Sequence, residues 1–146
     1  MDLKILEIAS DTKNHKVVKN HTHQSKNKNP LCGDEMEISL IVKDNIVQDI
    51  GYQCKSCVYC QASVSLLSKW VMQAPIEKIS DFVSNAEFFF DENFEQLKKI
   101  NIKDLKVFKK IMNPENISRK ECLLLPFKTL SKALKLWTNN KDTTIW

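Results

Sequence analysis

Between Met36 and Lys43 the chain alternates. Met36, Ile38, Leu40 and Val42 fall on one side and Glu37, Ser39, Ile41 and Lys43 on the other, the period of a half-buried strand. Asp44-Asn45 is a two-residue turn signal, and Ile46 to Gln53 supplies a second strand with Ile46, Ile50 and Tyr52 on a common face. A hairpin is predicted, and it returns the residues after it to the sheet end from which the residues before it set out. Upstream, Leu3 to Ala9 carries apolar residues at 3, 5, 6 and 9 and predicts a short helix ended by Ser10-Asp11. Lys13 to Asn29 is polar, with Val17 and Val18 as its apolar anchors, and predicts an edge strand or an extended arm.

Downstream of Cys57 the period lengthens. Tyr59, Ala62, Leu66, Leu67, Trp70 and Val71 form a helical stripe that ends just before Pro75, and the small Ala62, Ser63 and Ser65 allow close packing. Pro75 opens a further helix with Ile76, Ile79, Phe82 and Val83 on its buried side. The aromatic run Phe88-Phe89-Phe90 reads as core, because such side chains bury so much area. Ile102 to Met112 is another short amphipathic helix, stopped by Asn113-Pro114. A last helix starts near Cys122 and carries Leu125, Phe127, Leu130, Ala133, Leu134 and Trp137, with Pro126 falling in its first turn, where the missing N–H does no harm. Thr138 to Thr144 reads as a frayed end.

At 146 residues and 42% apolar content the chain fits a single domain, 1-146, with a core of its own. No stretch approaches the roughly 20 apolar residues that span a bilayer, and Met1-Asp2-Leu3-Lys4 lacks the plan of a signal peptide. The expectation is a cytoplasmic protein without a membrane partner. Net charge of +4 arises from 22 basic and 18 acidic residues scattered along the chain, so nucleic acid is not an expected partner. His15, His21 and His23 lie in the polar arm and read as surface histidines rather than ligands.

The cysteines change the picture. Five of them in a chain without an export plan read as reduced thiols serving metal or sulfur chemistry. Cys32 and Asp34 stand two apart across Gly33, offering a sulfur and an oxygen to one centre. Cys54, Cys57 and Cys60 follow the hairpin, and Cys122 opens the last helix, so thiols from three separated segments could meet at one ion or cluster. Cys57 and Cys122 both sit at helix starts, where unpaired N–H groups favour the thiolate. The Cys54-x2-Cys57-x2-Cys60 spacing also matches part of a ferredoxin run, although the cysteine followed by proline is absent. A redox iron-sulfur protein, or a binding module presenting basic residues and Phe88 to Phe90, are the alternatives.

Taken together, Asn29-Pro30-Leu31-Cys32-Gly33-Asp34, the hairpin, Cys57 followed by Ala62-Ser63-Val64-Ser65, and Arg119-Lys120-Glu121-Cys122-Leu123-Leu124-Leu125-Pro126-Phe127 resemble the U-type iron-sulfur cluster assembly proteins: IscU, the N-terminal domain of NifU, and SufU. The likeness runs from about residue 29 to 137 and is strongest to SufU, through the extra segment at roughly 88 to 118, Arg119 and the Leu-Leu-Pro-Phe run.

This resemblance implies an α+β fold of the SufE/NifU-like kind, a small three-stranded antiparallel sheet with helices packed on one face. It implies Cys32, Asp34, Cys57 and Cys122 as metal ligands, with Cys32 and Cys122 as candidate sulfur acceptors. Cys54, Cys60 and Arg119 are possible auxiliaries. A SufU-like protein would hold Zn2+ and take persulfide sulfur from a SufS-like, pyridoxal-phosphate-dependent cysteine desulfurase, passing it to a SufBCD-like scaffold or to iron-sulfur apoproteins. It would act as a zinc-dependent sulfurtransferase rather than a conventional enzyme. An IscU-like protein would assemble a [2Fe-2S] cluster on the same residues. Glu121 stands where IscU-like members carry histidine, and the glycines usual around the second cysteine are absent from Gln53-Cys54-Lys55-Ser56-Cys57.

Overall fold

The alternating stretch becomes the middle strand of a three-stranded antiparallel sheet. The computed structural model describes residues 3–30, 33–90 and 102–135, so the expectations for Trp137 and the tail lie outside the described residues. Strand β1 (His23–Lys28) is an edge, β2 (Glu35–Lys43) lies at the centre and β3 (Ile46–Lys55) closes the order β1-β2-β3. Asp44 and Asn45 both take positive φ, 54° and 61°, the backbone that a two-residue hairpin needs.

Met36, Ile38 and Leu40 are buried as the alternation requires, and Val42 is half-buried against the core. On β3 the expected face is wrong by one residue at its start. Ile41 pairs with Asp49 and Val42 with Val47, so Gln48 is an extra residue in the ladder. This bulge reverses the phase, and Val47 rather than Ile46 joins Ile50 and Tyr52 in the core. Of the predicted arm, only His23 onward is strand. Val18 is buried, its N–H donating to Ser39 Oγ at 3.0 Å, whereas Val17 is exposed. The Lys16 carbonyl crosses so close to Gly51 that a Cβ there would stand 2.4 Å from its oxygen, which leaves glycine as the fitting residue.

The helices cover one face of the sheet. Helix α1 (Leu3–Ala9) rests on α2 (Val58–Val71) through Ile5 and Ala9, while Leu3 and Leu6, expected to lie against the body, face solvent. Helix α2 packs on β3 and between α1 and α5 (Lys120–Leu134), and α5 lies across β1 and β2. Because α2 is enclosed on several sides, it buries Cys60, Ala62, Ser63, Val64, Ser65, Leu67, Ser68 and Val71, more than a stripe. Tyr59, Leu66 and Trp70, predicted within the stripe, are only half-buried. The buried serines are satisfied: Ser63 Oγ donates to Leu123 O at 2.6 Å, Ser65 Oγ to Asp11 O at 2.8 Å and Ser68 Oγ to Ser65 O at 2.9 Å.

Helix α3 (Ile76–Ser84), the 3-10 turn Ala86–Phe90 and α4 (Ile102–Lys109) build an aromatic cluster at one end. Phe82 is its hub, with ring centroids 4.0 Å from Trp70, 4.9 Å from Phe89 and 5.0 Å from Phe108. Phe89 and Phe90 are core as expected, but Phe88 is 37% exposed. Helix α4 ends at Lys109, earlier than its periodicity implies, and Ile111 and Met112 are buried beyond its end. A 3-10 segment, Pro114–Arg119, leads into α5. Since α5 begins at Lys120, Pro126 lies inside the helix rather than in its first turn, and the N–H it lacks is the one an unbroken helix would offer to Cys122 O. Among the described residues no helix is long and apolar enough to cross a membrane.

Phe82 is 2% exposed at the centre of the cluster. Phe82→Ala is therefore expected to cost about 3–5 kcal/mol in urea unfolding, and Phe88→Ala less than about 1 kcal/mol. Equal losses would contradict this assignment of the core.

Candidate metal centre

The hairpin decides which residues meet. Glu35 pairs with Lys55, so Asp34, just before β2, and Ser56-Cys57, just after β3, emerge at the same end of the sheet. The segment entering β2 is clamped: Asn29 N–H donates to Asp34 O and Gly33 N–H to Asn29 O, each at 2.8 Å. Gly33 takes φ +78° with nothing near the place of a Cβ, so conformation rather than space calls for glycine.

Cys57 is the N-cap of α2, with extended φ −70° and ψ 167°, and its carbonyl accepts the Gln61 N–H at 3.1 Å. The Cys57 side chain makes no capping hydrogen bond, and the positive end of the helix lies beside its sulfur. Cys122 is the third residue of α5 and 6% exposed. The Ser63 to Leu123 hydrogen bond ties α2 to α5 one residue beyond Cys122.

These placements bring Asp34, Cys57 and Cys122 together, with one carboxylate oxygen and two sulfurs all within 4.8 Å of one another. Asp34 is 8% exposed, and its Oδ2 is buried without a hydrogen-bond partner among the described residues. A buried carboxylate oxygen left in this state is costly unless a cation meets it. Two thiolates and a carboxylate suit zinc or another borderline ion, so the residues fit the metal that the resemblance implies. Cys32, the fourth expected ligand, lies outside the described residues. Glu121 does not join the group: its Oε2 accepts from Lys128 Nζ at 2.9 Å.

Neither Cys54 nor Cys60 belongs to the cluster. Cys54 is half-buried on β3 opposite Met36, and Cys60 is fully buried in the first turn of α2. Burial pushes both thiols up, partly offset by the Ser56 hydroxyl beside them. Arg119 is exposed, with its guanidinium carbon 5.1 Å from the Tyr59 ring centroid. The histidines stay apart: His15 meets the Tyr52 ring edge-on, His21 Nδ1 lies 3.3 Å from Val18 O and His23 Nδ1 lies 2.8 Å from Thr22 Oγ1. The pattern of residues does not single out Ser56 or the coupling role of Ser63. A serine's partner depends on which helix lies beside it, and the only sequence signal was small size along α2.

A family model described as the NifU-like N terminal domain matches residues 2–91. Over 132 residues the chain is 33% identical to the iron-sulfur cluster assembly scaffold protein IscU of Thermotoga maritima, covering 90% of this chain and 89% of that one. Two crystal structures share the fold. One, described as a candidate iron-sulfur cluster assembly scaffold protein for the SUF system from Fervidobacterium islandicum AW-1, has a TM-score of 0.73 at 23% identity, covering 92% of this chain and 96% of that chain. The other, the N-terminal part of a NifU-like protein from Brucella abortus, has a TM-score of 0.74 at 19% identity, covering 92% and 91%. With its sheet of three antiparallel strands, its helices on one face and a family match over more than half its length, the chain belongs to the NifU-like N-terminal domain family.

Proposed function

We propose that this chain is an iron-sulfur cluster assembly protein of the SufU type, a zinc-binding acceptor of persulfide sulfur from a SufS-like cysteine desulfurase. The observation that carries this reading is the buried Asp34 oxygen, without a hydrogen-bond partner among the described residues, gathered with the Cys57 and Cys122 sulfurs. Membership of the NifU-like family and the likeness to an IscU scaffold support the wider setting of cluster assembly. In this reading Cys32, Asp34, Cys57 and Cys122 hold the metal. When bound, zinc keeps the thiolates deprotonated at neutral pH.

The residues themselves do the rest. A carboxylate is a weaker partner for zinc than a fourth thiolate, so Asp34 makes one position exchangeable. The acceptor is Cys32 or Cys122. Its thiolate attacks the outer sulfur of the desulfurase persulfide, a new S–S bond forms, the donor's S–S bond breaks, and the donor cysteine leaves as a thiolate. No oxidant is consumed, and the acceptor carries sulfur onward to a SufBCD-like scaffold or to apoproteins. The chain is then a sulfurtransferase working between two partners in the cytoplasm.

A second reading, an IscU-type scaffold that builds a [2Fe-2S] cluster on these residues, is favoured by the 33% identity to the Thermotoga protein. Glu121, turned to Lys128 where IscU-like members carry histidine, favours the first. Metal analysis of protein purified without oxygen separates them: zinc in a colourless protein supports the SufU type, iron with acid-labile sulfide the scaffold.

Two further outcomes are expected. Asp34→Ala should weaken zinc binding by at least roughly tenfold in competition with a chromophoric chelator, since even partners outside the ligand set cost that much; unchanged affinity would remove Asp34 from the site. In a desulfurase reaction supplied with cysteine, mass spectrometry should find added sulfur on Cys32 or Cys122. Transfer unchanged in both Cys32→Ser and Cys122→Ser would contradict the acceptor role.

A further inference from the structure

Cys57 and Cys60 form a Cys-x-x-Cys pair at the start of a helix: Cys57 is the N-cap of α2 and Cys60 its third residue. Residues three apart in a helical turn bring their Cβ atoms to about 5–6 Å. A disulfide draws the Cβ atoms to about 3.5–4.5 Å, so closing the pair takes a small backbone shift at Cys57, the extended N-cap residue where α2 begins. Cys57 is half-buried and Cys60 fully buried, the division between an accessible thiol and a shielded resolving thiol that redox-active Cys-x-x-Cys pairs use. Cys54 is placed differently, on the β3 pleat opposite Met36. The accessible member also faces chemistry: its sulfur lies within 4.8 Å of a ligand atom of Asp34 and of Cys122, where the 8% exposed Asp34 has an Oδ2 without a hydrogen-bond partner among the described residues.

We propose that Cys57 and Cys60 are a dithiol that reduces sulfane sulfur held on Cys57 and releases it as sulfide beside the metal centre. This rests on the reading of the site as one that handles persulfide sulfur, and adds to it a source of electrons. Loading follows thiol exchange: the Cys57 thiolate attacks the outer sulfur of a persulfide, the Cys57–sulfane bond forms, the donor's S–S bond breaks, and the donor leaves as its thiolate. In the second step the Cys60 sulfur attacks the Cys57 sulfur. The Cys57–Cys60 disulfide forms, the Cys57–sulfane bond breaks, and the outer sulfur departs with both protons as hydrogen sulfide. The two electrons that reduce it come from the two cysteines. A second dithiol, itself oxidised, restores the pair.

The test uses the whole metal-free, reduced chain without oxygen, with cysteine persulfide as the donor. Sulfide is measured colorimetrically, and the chain is then alkylated and digested with trypsin. Cleavage after Lys55 and Lys69 leaves Cys57 and Cys60 together on the peptide from Ser56 to Lys69, with Cys54 on another. The expected result is release of about one sulfide per chain, together with a peptide lighter by two hydrogens and closed to alkylation. Cys60→Ala is expected to retain added sulfur on Cys57 and to release sulfide at least about tenfold more slowly, while still binding zinc, which checks its folding.

Equal release by Cys60→Ala, or an oxidised wild-type chain whose disulfide lies elsewhere, overturns the proposal. So does a wild-type Ser56 to Lys69 peptide carrying neither sulfur nor disulfide. None of these results touches sulfur acceptance by Cys32 or Cys122, which the desulfurase reaction measures separately.

Discussion

A buried carboxylate held between two sulfurs constrains the rest of this structure. Asp34 Oδ2 has no hydrogen bond among the described residues, and water scarcely reaches it. Such an oxygen is costly to bury unless a cation or a hydrogen-bond donor completes it. Three separate features have to be right for the cluster to exist. The β2–β3 register must return Cys57 to Asp34, α2 must start at Cys57, and α5 must run beside α2 so that Cys122 arrives from the other end of the chain. The hydrogen bond from Ser63 to Leu123 belongs to the same requirement, because a shift of one helix past the other would separate the sulfurs.

Where local pattern and tertiary structure agree, the sequence was legible. The β2 alternation, the Asp44-Asn45 turn and the start of α2 at Cys57 follow from side-chain period, backbone preference and capping position, none of which needs a distant partner. The resemblance carried by three separated cysteine anchors set the fold, and the sheet with helices on one face agrees with it. What was not legible depends on neighbours. One extra residue at Gln48 exchanges Val47 for Ile46, and nothing in the local alternation marks it. Helix α2 buries most of its circumference because α1, α4, α5 and β3 all pack against it, so a search for one stripe undercounts its core. Pro126 lies inside α5 because a 3-10 segment brings the chain into the helix sooner than Cys122 alone suggests.

At the site, Asp34, Cys57 and Cys122 were legible as a set and are brought together. Cys32 lies outside the described residues. The resemblance already set Cys57 apart from Cys54 and Cys60, and the fold gives the physical reason. Strand pleat and helical turn give three cysteines spaced by three quite different surroundings, and one of them points to the cluster. Glu121 also shows how the site departs from the histidine-bearing members, since its carboxylate is engaged with Lys128. A donor set of thiols and one carboxylate then remains, and in the proposed function that set supplies a metal position with one weaker partner, beside sulfurs that can exchange.

X-ray absorption spectroscopy of the zinc-loaded chain tests this account most directly, because it reads the atoms around the metal without reference to activity. The account predicts a four-coordinate ion with zinc–sulfur distances near about 2.3 Å and one shorter zinc–oxygen distance of about 2.0 Å. A shell made of sulfur alone, or one dominated by nitrogen and oxygen, would contradict it.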